Sequence, residues 1–216
     1  MNPRFRLPLV LSLILAGATA CSSMANKHPM TFFLTSTGIP QGANFGGLAG
    51  ADRHCQTLAD AAGAGGRTWH AYLSTTATMT VPAVNARERI GYGPWQNSRG
   101  VVIAINADDL HGPNNRIDKV SALSEKGEPI SGRGDTPNRH DVLTGSTTDG
   151  KAALQTCNNW TSGAEGAAVV GHHDRTGLDE SAPAKSWNAS HLTQGCSQAA
   201  LARTGGAGLL YCFAVN

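Results

Sequence analysis

The sequence predicts an α+β fold of short antiparallel strands, one or two helices and long glycine-rich loops. Three observations carry this. Glycine is abundant, at 26 of 216 residues, and charged residues make up only 15%; that composition belongs to a chain of many turns, not to a helical bundle. A sustained apolar stripe at helical spacing occurs in one segment. Several short runs of β-branched and aromatic residues are separated by Gly, Pro, Asn and Asp.

Thr31 to Thr37 (TFFLTST) reads as the first strand, and Gly38 to Gly47 as a glycine-rich loop. Leu48, Ala51, Cys55, Leu58, Ala59 and Ala62 then recur at three- and four-residue spacing, which gives a helix one apolar face, and Gly63, Gly65 and Gly66 end it. Trp69 to Ser74 reads as the next strand, Val84 to Ile90 as a short second helix, and Val101 to Ile105 as a buried strand. Residues 106–142 hold four glycines, three prolines and many charges, and read as a long excursion. Cys157-Asn158-Asn159-Trp160 begins another ordered piece, and residues 163–186 are again glycine-rich and polar. Leu209 to Val215 (LLYCFAV) is a C-terminal strand carrying Cys212.

The N-terminus carries an export signal. Arg4 and Arg6 are followed by an apolar run from Leu7 to Leu15 and by the small residues Ala18-Thr19-Ala20, so residues 1–20 read as a secretory signal peptide. The run is shorter than the about 20 residues that a spanning helix needs. Leu-Ala-Gly-Ala-Thr-Ala-Cys21 resembles the lipobox of bacterial lipoproteins, with Ala18 standing where that family usually has leucine. The resemblance implies cleavage before Cys21 and a diacylglycerol on its thiol; ordinary cleavage after Ala20 would leave Cys21 free. Residues 21–30 then form a lipidated tether, and residues 31–216 one domain large enough to bury a core. The chain is expected in the outer membrane or periplasm, held to the membrane through the lipid alone. Of the five cysteines, four remain once Cys21 is set aside, and in an oxidising compartment they allow two disulfides with three connectivities. A net charge of +2 argues neither for nor against a nucleic-acid partner; the lack of a Lys/Arg run interleaved with aromatics argues against one.

The order of these pieces resembles the C-type-lectin-like fold, and more narrowly the endostatin domain and bacterial secreted proteins related to it. Gly47-Leu-Ala-Gly-Ala-Asp52 precedes Cys55, and a tryptophan strand ends in Leu73-Ser74. Thr144-Gly-Ser-Thr-Thr-Asp-Gly150 precedes Cys157-Asn-Asn-Trp160, and Cys196 precedes Tyr211-Cys212-Phe213. The resemblance covers residues 31–216. It implies the pairs Cys55–Cys212 and Cys157–Cys196. It does not imply calcium. Trp187-Asn188 is followed by Ala189 where calcium-dependent lectins have aspartate, Thr148-Asp149-Gly150 stands where a Glu-Pro-Asn loop is needed, and Glu128-Pro129-Ile130 is too far upstream. Six to eight hard oxygen ligands are not assembled. Trp160 and Trp187 read as core residues, not sugar platforms.

Other candidates have plainer readings. His172-His173-Asp174 reads as a solvated loop, and His140-Asp141 and His111 as polar turn segments, so no metal and no cofactor is expected. Arg133-Gly134-Asp135 matches an integrin-recognition tripeptide, but Asp135-Thr136-Pro137 reads as a turn. Neither a nucleophile elbow, nor a zinc-protease helix, nor a nucleotide fingerprint occurs, so no catalytic residue is assigned. Arg87, Arg89 and Arg99 are candidate ligand-binding residues, a basic patch for anionic glycans with Arg67 and Arg116 as further contributors. The expectation is a non-catalytic cell-envelope binding module that takes a glycan or an extracellular protein in the loops between Asn106 and Lys185, as loops on a stapled scaffold commonly do. A structural or assembly role in the envelope, or a hydrolase with dispersed residues, are the alternatives.

Overall fold

The computed structural model describes residues 30–215, together with Met1. Residues 2–20 of the expected signal peptide, nearly all of the tether and the lipidation candidate Cys21 lie outside the described residues. The chain is α+β, as its composition predicts. Its central element is β8 (Gly206–Ala214). Both faces of this strand are covered, which is why it reads as an unbroken apolar run. Leu209, Tyr211 and Phe213 enter one core cluster, and Leu210, Cys212 and Ala214 enter the other.

Two short strands, β1 (Phe32–Leu34) and β2 (Trp69–Ala71), flank the C-terminal half of β8, both antiparallel, with Phe33 and Ala71 each opposite Cys212. The other half pairs in parallel with β5 (Asp141–Leu143). The sheet continues through β6 (Val169–His172) to an edge strand, β7 (His191–Leu192). A separate two-stranded ribbon joins β3 (Trp95–Gln96) to β4 (Val102–Ala104).

The apolar stripe forms helix α1 (Leu48–Ala61), which buries Ala51, Cys55 and Ala59 against the sheet. Two shorter helices, α2 (Ala86–Arg89) and α3 (Ala107–His111), follow. Asn106 caps α3 through its side chain, which accepts from the Asp109 amide at 2.8 Å. Cys157–Trp160 is one left-handed turn, with φ between +48° and +67° at four non-glycine residues. Such a turn is costly for L-residues and is held from several sides. Asn159 Oδ1 accepts from the Thr76 amide at 2.9 Å, and Trp160 Nε1 donates to the Ser74 carbonyl at 2.8 Å.

The cysteines form two bonds, Cys55–Cys212 and Cys157–Cys196. The outer bond ties α1 to the central strand, and the inner one ties the left-handed turn to the loop before the short helix Gln198–Arg203. Two disulfides mark the domain as exported, working outside the cytoplasm. No helix among the described residues is long and apolar enough to cross a membrane.

The structure corrects the reading of two segments. The excursion 106–142 contains α3 and leads directly into β5, and the polar segment 163–186 contains β6. These two strands lie side by side in the sheet interior. Trp160 and Trp187 are buried in the two core clusters.

Candidate functional site

The β5–β6–β7 end of the sheet gathers histidines and carboxylates. Register places Asp141 directly opposite His172, and His191 opposite Val170 one row away. His140 precedes Asp141, and its ring stacks on that of His172 with centroids 4.2 Å apart. Room for the His140 ring comes from Gly205, where φ is +98° and a Cβ would stand 2.9 Å from the ring.

One oxygen is the focus. Asp141 Oδ1 lies 3.2 Å from His140 Nε2, 3.3 Å from His172 Nε2 and 3.3 Å from His191 Nε2. Ligand-capable atoms of His140, Asp141 and His172 all fall within 4.8 Å of one another. Asp141, His140 and His172 are buried, whereas His191 is 37% exposed in its side chain. Neither Asp141 oxygen makes an aligned hydrogen bond, nor does His172 Nε2. A polar set this dry and this poorly paired is unusual in a folded protein.

The surroundings hold the rings in place. His172 Nδ1 lies 2.7 Å from the Ala184 carbonyl, and His191 Nδ1 lies 3.1 Å from the Leu192 carbonyl. Asp174 Oδ1 stands 3.5 Å from His140 Nδ1. Asp174 itself accepts from the backbone amides of Arg133 at 2.6 Å and Thr176 at 3.1 Å. Burial acts to raise the Asp174 carboxyl, but His140 and these amides outweigh it and hold the group well below the usual carboxylate range. Asp141 behaves alike: burial pushes it up, and contacts with His172 and His191 bring it below its ordinary value. His191 is raised, chiefly by Asp141, with burial opposing. His173, on the opposite side of the strand end, is pushed down to about 4 by burial.

A cleft of about 490 Å³ opens over this cluster. His140, His172 and His191 line it, with Arg133, Arg203 and Asp179 among the other charged residues of its wall. Leu178 and Leu192 add exposed apolar surface. Ser190 Oγ, also in the wall, lies 3.3 Å from His172 Nδ1.

These positions correct several expectations. His172, His173 and Asp174 are not solvated but buried, at 3%, 0% and 8% exposure, because they end an interior strand. His140 and Asp141 are buried because they enter the neighbouring interior strand, β5. His111 is no surface turn residue: its Nε2 lies 2.7 Å from Tyr72 Oη and its Nδ1 bonds the Ala107 carbonyl. Arg87, Arg89 and Arg99 do not assemble as free cations. Arg87 pairs with Asp108 at 2.7 Å, Arg89 pairs with Asp52 at 2.6 Å, and Arg99 donates to the Gly127 carbonyl at 3.0 Å. In the tripeptide Arg133-Gly134-Asp135, Asp135 accepts from the Gly132 amide and pairs with Lys119 at 2.6 Å, as a turn residue would. Asn188 is structural, donating to Tyr72 Oη at 3.0 Å and to the Thr147 and Thr148 carbonyls.

One sequence signal for the cluster was present. Four of the chain's eight histidines fall in two pairings with aspartate, His140-Asp141 and His172-His173-Asp174, and in His191. A scan against protein-family models finds no match to this chain, and a search of curated proteins finds none either.

Proposed function

We propose that the protein is a non-catalytic binding module of the cell envelope, built on a C-type-lectin-like, endostatin-related fold and tethered through a lipid on Cys21. Its ligand is an anionic glycan, or an extracellular protein bearing equivalent acidic groups, held without calcium in the cleft over His140 and His172. One observation carries this reading. The cleft wall sets two arginines against the single carboxylate Asp179, with three imidazoles offering further nitrogen partners, so its rim suits a negatively charged ligand. Leu178 and Leu192 supply the apolar contact that usually accompanies such recognition. Nitrogen-rich surroundings are unsuited to calcium, which takes oxygen ligands.

The test is an array of sulfated, uronate-bearing and neutral glycans with matrix proteins, read with and without added calcium. Calcium-independent binding to anionic members, reduced at least about tenfold in an R133A/R203A variant, supports the reading. Silence across the array, or binding indifferent to the two arginines, overturns it.

A second reading has its own observation. Ser190 Oγ, His172 and Asp141 stand in the order of a hydrolytic triad, at 3.3 Å for each step. Against it, His172 Nδ1 is closer to the Ala184 carbonyl, at 2.7 Å. A carbonyl only accepts, so Nδ1 carries a proton and is not available as base to Ser190. Ester hydrolysis abolished by S190A would favour this reading over the first.

A further inference from the structure

We propose that His140, Asp141 and His172 form a binding site for one divalent transition-metal ion of zinc's class, with a fourth position facing the cleft beside His191. The inference stands apart from the recognition reading, because ion binding can be read with the metal alone.

Distance is the first argument. Ligand atoms of the three residues lie within 4.8 Å of one another, and both histidine Nε2 atoms are 3.2–3.3 Å from Asp141 Oδ1. Bonds of about 2.0–2.1 Å at tetrahedral angles place neighbouring donor atoms about 3.3 Å apart. The two spacings to Asp141 are therefore those of an ion's ligands, and the stacked rings of His140 and His172 turn to aim their Nε2 atoms at it.

The second argument is where the protons sit. The Ala184 and Leu192 carbonyls fix the proton of His172 and of His191 on Nδ1. In the neutral rings Nε2 is then a lone pair, and it faces a carboxylate oxygen at 3.3 Å. Two electron-rich atoms held that close need a proton or a metal ion between them. The third argument is the lack of any other partner: both Asp141 oxygens and His172 Nε2 are buried with no aligned hydrogen bond.

The wider arrangement fits the same role. Asp174 addresses the far nitrogen of His140, as carboxylates commonly do behind a ligating histidine. The dication's charge is matched by two buried carboxylates, Asp141 and Asp174. Imidazole nitrogens with one carboxylate suit zinc, copper or nickel, and do not suit calcium or magnesium. Three protein ligands on adjacent strands, with the remaining side toward a cleft, is the arrangement of an open site rather than a closed structural one. Asp174 is a positioning residue here, and His191 stands half-exposed at the open side.

The experiment uses the full chain with both disulfides formed, stripped with chelator and titrated with cobalt(II), then zinc. One cobalt per chain with the strong visible absorption of a four-coordinate ion, displaced by one equivalent of zinc, is the expected result. H172Q should abolish that spectrum. D174N should weaken zinc binding about 10–100-fold, while H54Q on α1 leaves it unchanged. Zinc should also raise the Tm of the wild-type chain by a few degrees, and of H172Q not at all. A weak six-coordinate cobalt spectrum, or an affinity equal in wild type and H172Q, overturns the proposal. If H172Q does not fold, D174N and the wild-type Tm decide: a Tm indifferent to zinc overturns it. Glycan binding that persists in stripped protein would leave the recognition reading standing alone.

Discussion

The frame built by α1, β1, β2 and β8 and the β5–β6–β7 end of the sheet exclude water equally well, but they treat their polar groups in opposite ways. In the frame, Phe33, Cys55, Trp69 and Cys212 pack with no exposed surface to speak of, and no side-chain atom of its four elements is among the buried unpaired ones of the described residues. Tyr72 Oη accepts from Asn188 and meets His111 Nε2, whose other nitrogen bonds a carbonyl. At the β5–β6–β7 end, His140, Asp141 and His172 are as dry and leave several atoms unpaired. Frames of the first kind hold a fold together, because the groups they desolvate find new partners, as Tyr72 Oη does. A cluster of the second kind lowers stability unless a ligand completes it, which is why it marks a site.

The largest separation between the two regions should come from the disulfides. Cys55–Cys212 closes a separation of 157 residues within the frame, whereas Cys157–Cys196 closes 39 beside the site. In the chain-entropy model these are worth about 5 and about 4 kcal/mol. C55A/C212A also opens a cavity at the centre of the core, so it should lose more, by at least about 1 kcal/mol in urea unfolding at equal slope. A larger loss in C157A/C196A would move the keystone of the fold to the left-handed turn that Cys157 begins, and the comparison would fail.

His111 offers a smaller and sharper test, because it is a histidine of the satisfied kind. Burial lowers its pKa from the ordinary 6.5, Arg87 acts in the same direction, and the Ala107 carbonyl, Asp149 and Asp108 oppose. As pH falls below 6.5 the unfolded chain takes up a proton that the folded chain resists. The stabilising contribution is therefore complete above about pH 6.5 and is lost progressively below it. H111Q should cost more stability at neutral pH than near pH 5, with a slope difference no steeper than ~1.4 kcal/mol per pH unit, the limit for one proton. Parallel stability curves for wild type and H111Q between those values would show that His111 titrates as freely folded as unfolded.

What the sequence made legible follows the same division. The frame announced itself because its physics is periodic. The stripe through Cys55 and Ala59 has helical spacing, and the run at 209–215 is apolar on both faces. Even there the strands came out shorter than read, since Thr31 to Thr37 yields only Phe32–Leu34 before the chain turns. The site was hidden because β5 is three residues long and β6 is four, too short for alternation to show. Their paired termini, Asp141 at the start of β5 and His172 at the end of β6, are also groups that ordinarily signal surface. What buries them is tertiary: β5 lies between β8 and β6, a pairing across more than sixty residues of chain on one side. The paired His-Asp motifs were visible as residues, but their convergence depends on a register that no local pattern encodes. The arginines fail in the mirror sense. Arg87 and Arg89 look like free surface cations in sequence and are consumed by Asp108 and Asp52, residues far off in the chain.

The smallest expected effect is the most telling one. Removing one member of a well-made buried ion pair normally costs about 3–5 kcal/mol. D141N removes the charge on which three imidazoles converge, yet in metal-free protein it should change stability by no more than about 1 kcal/mol. The reason is local. Asparagine keeps the shape of the side chain and brings an amide that donates to the Nε2 lone pair of His172, which the carboxylate cannot do. It also ends the burial of an anion whose oxygens have no aligned donors. What it forfeits is the attraction between Asp141 and a protonated His191, a group 37% exposed and therefore partly screened. In zinc, the order should reverse, with the wild type gaining stability that D141N does not. A loss of 3–5 kcal/mol in the absence of metal would show that Asp141 is held as firmly as anything in the frame, and that the two regions obey one rule.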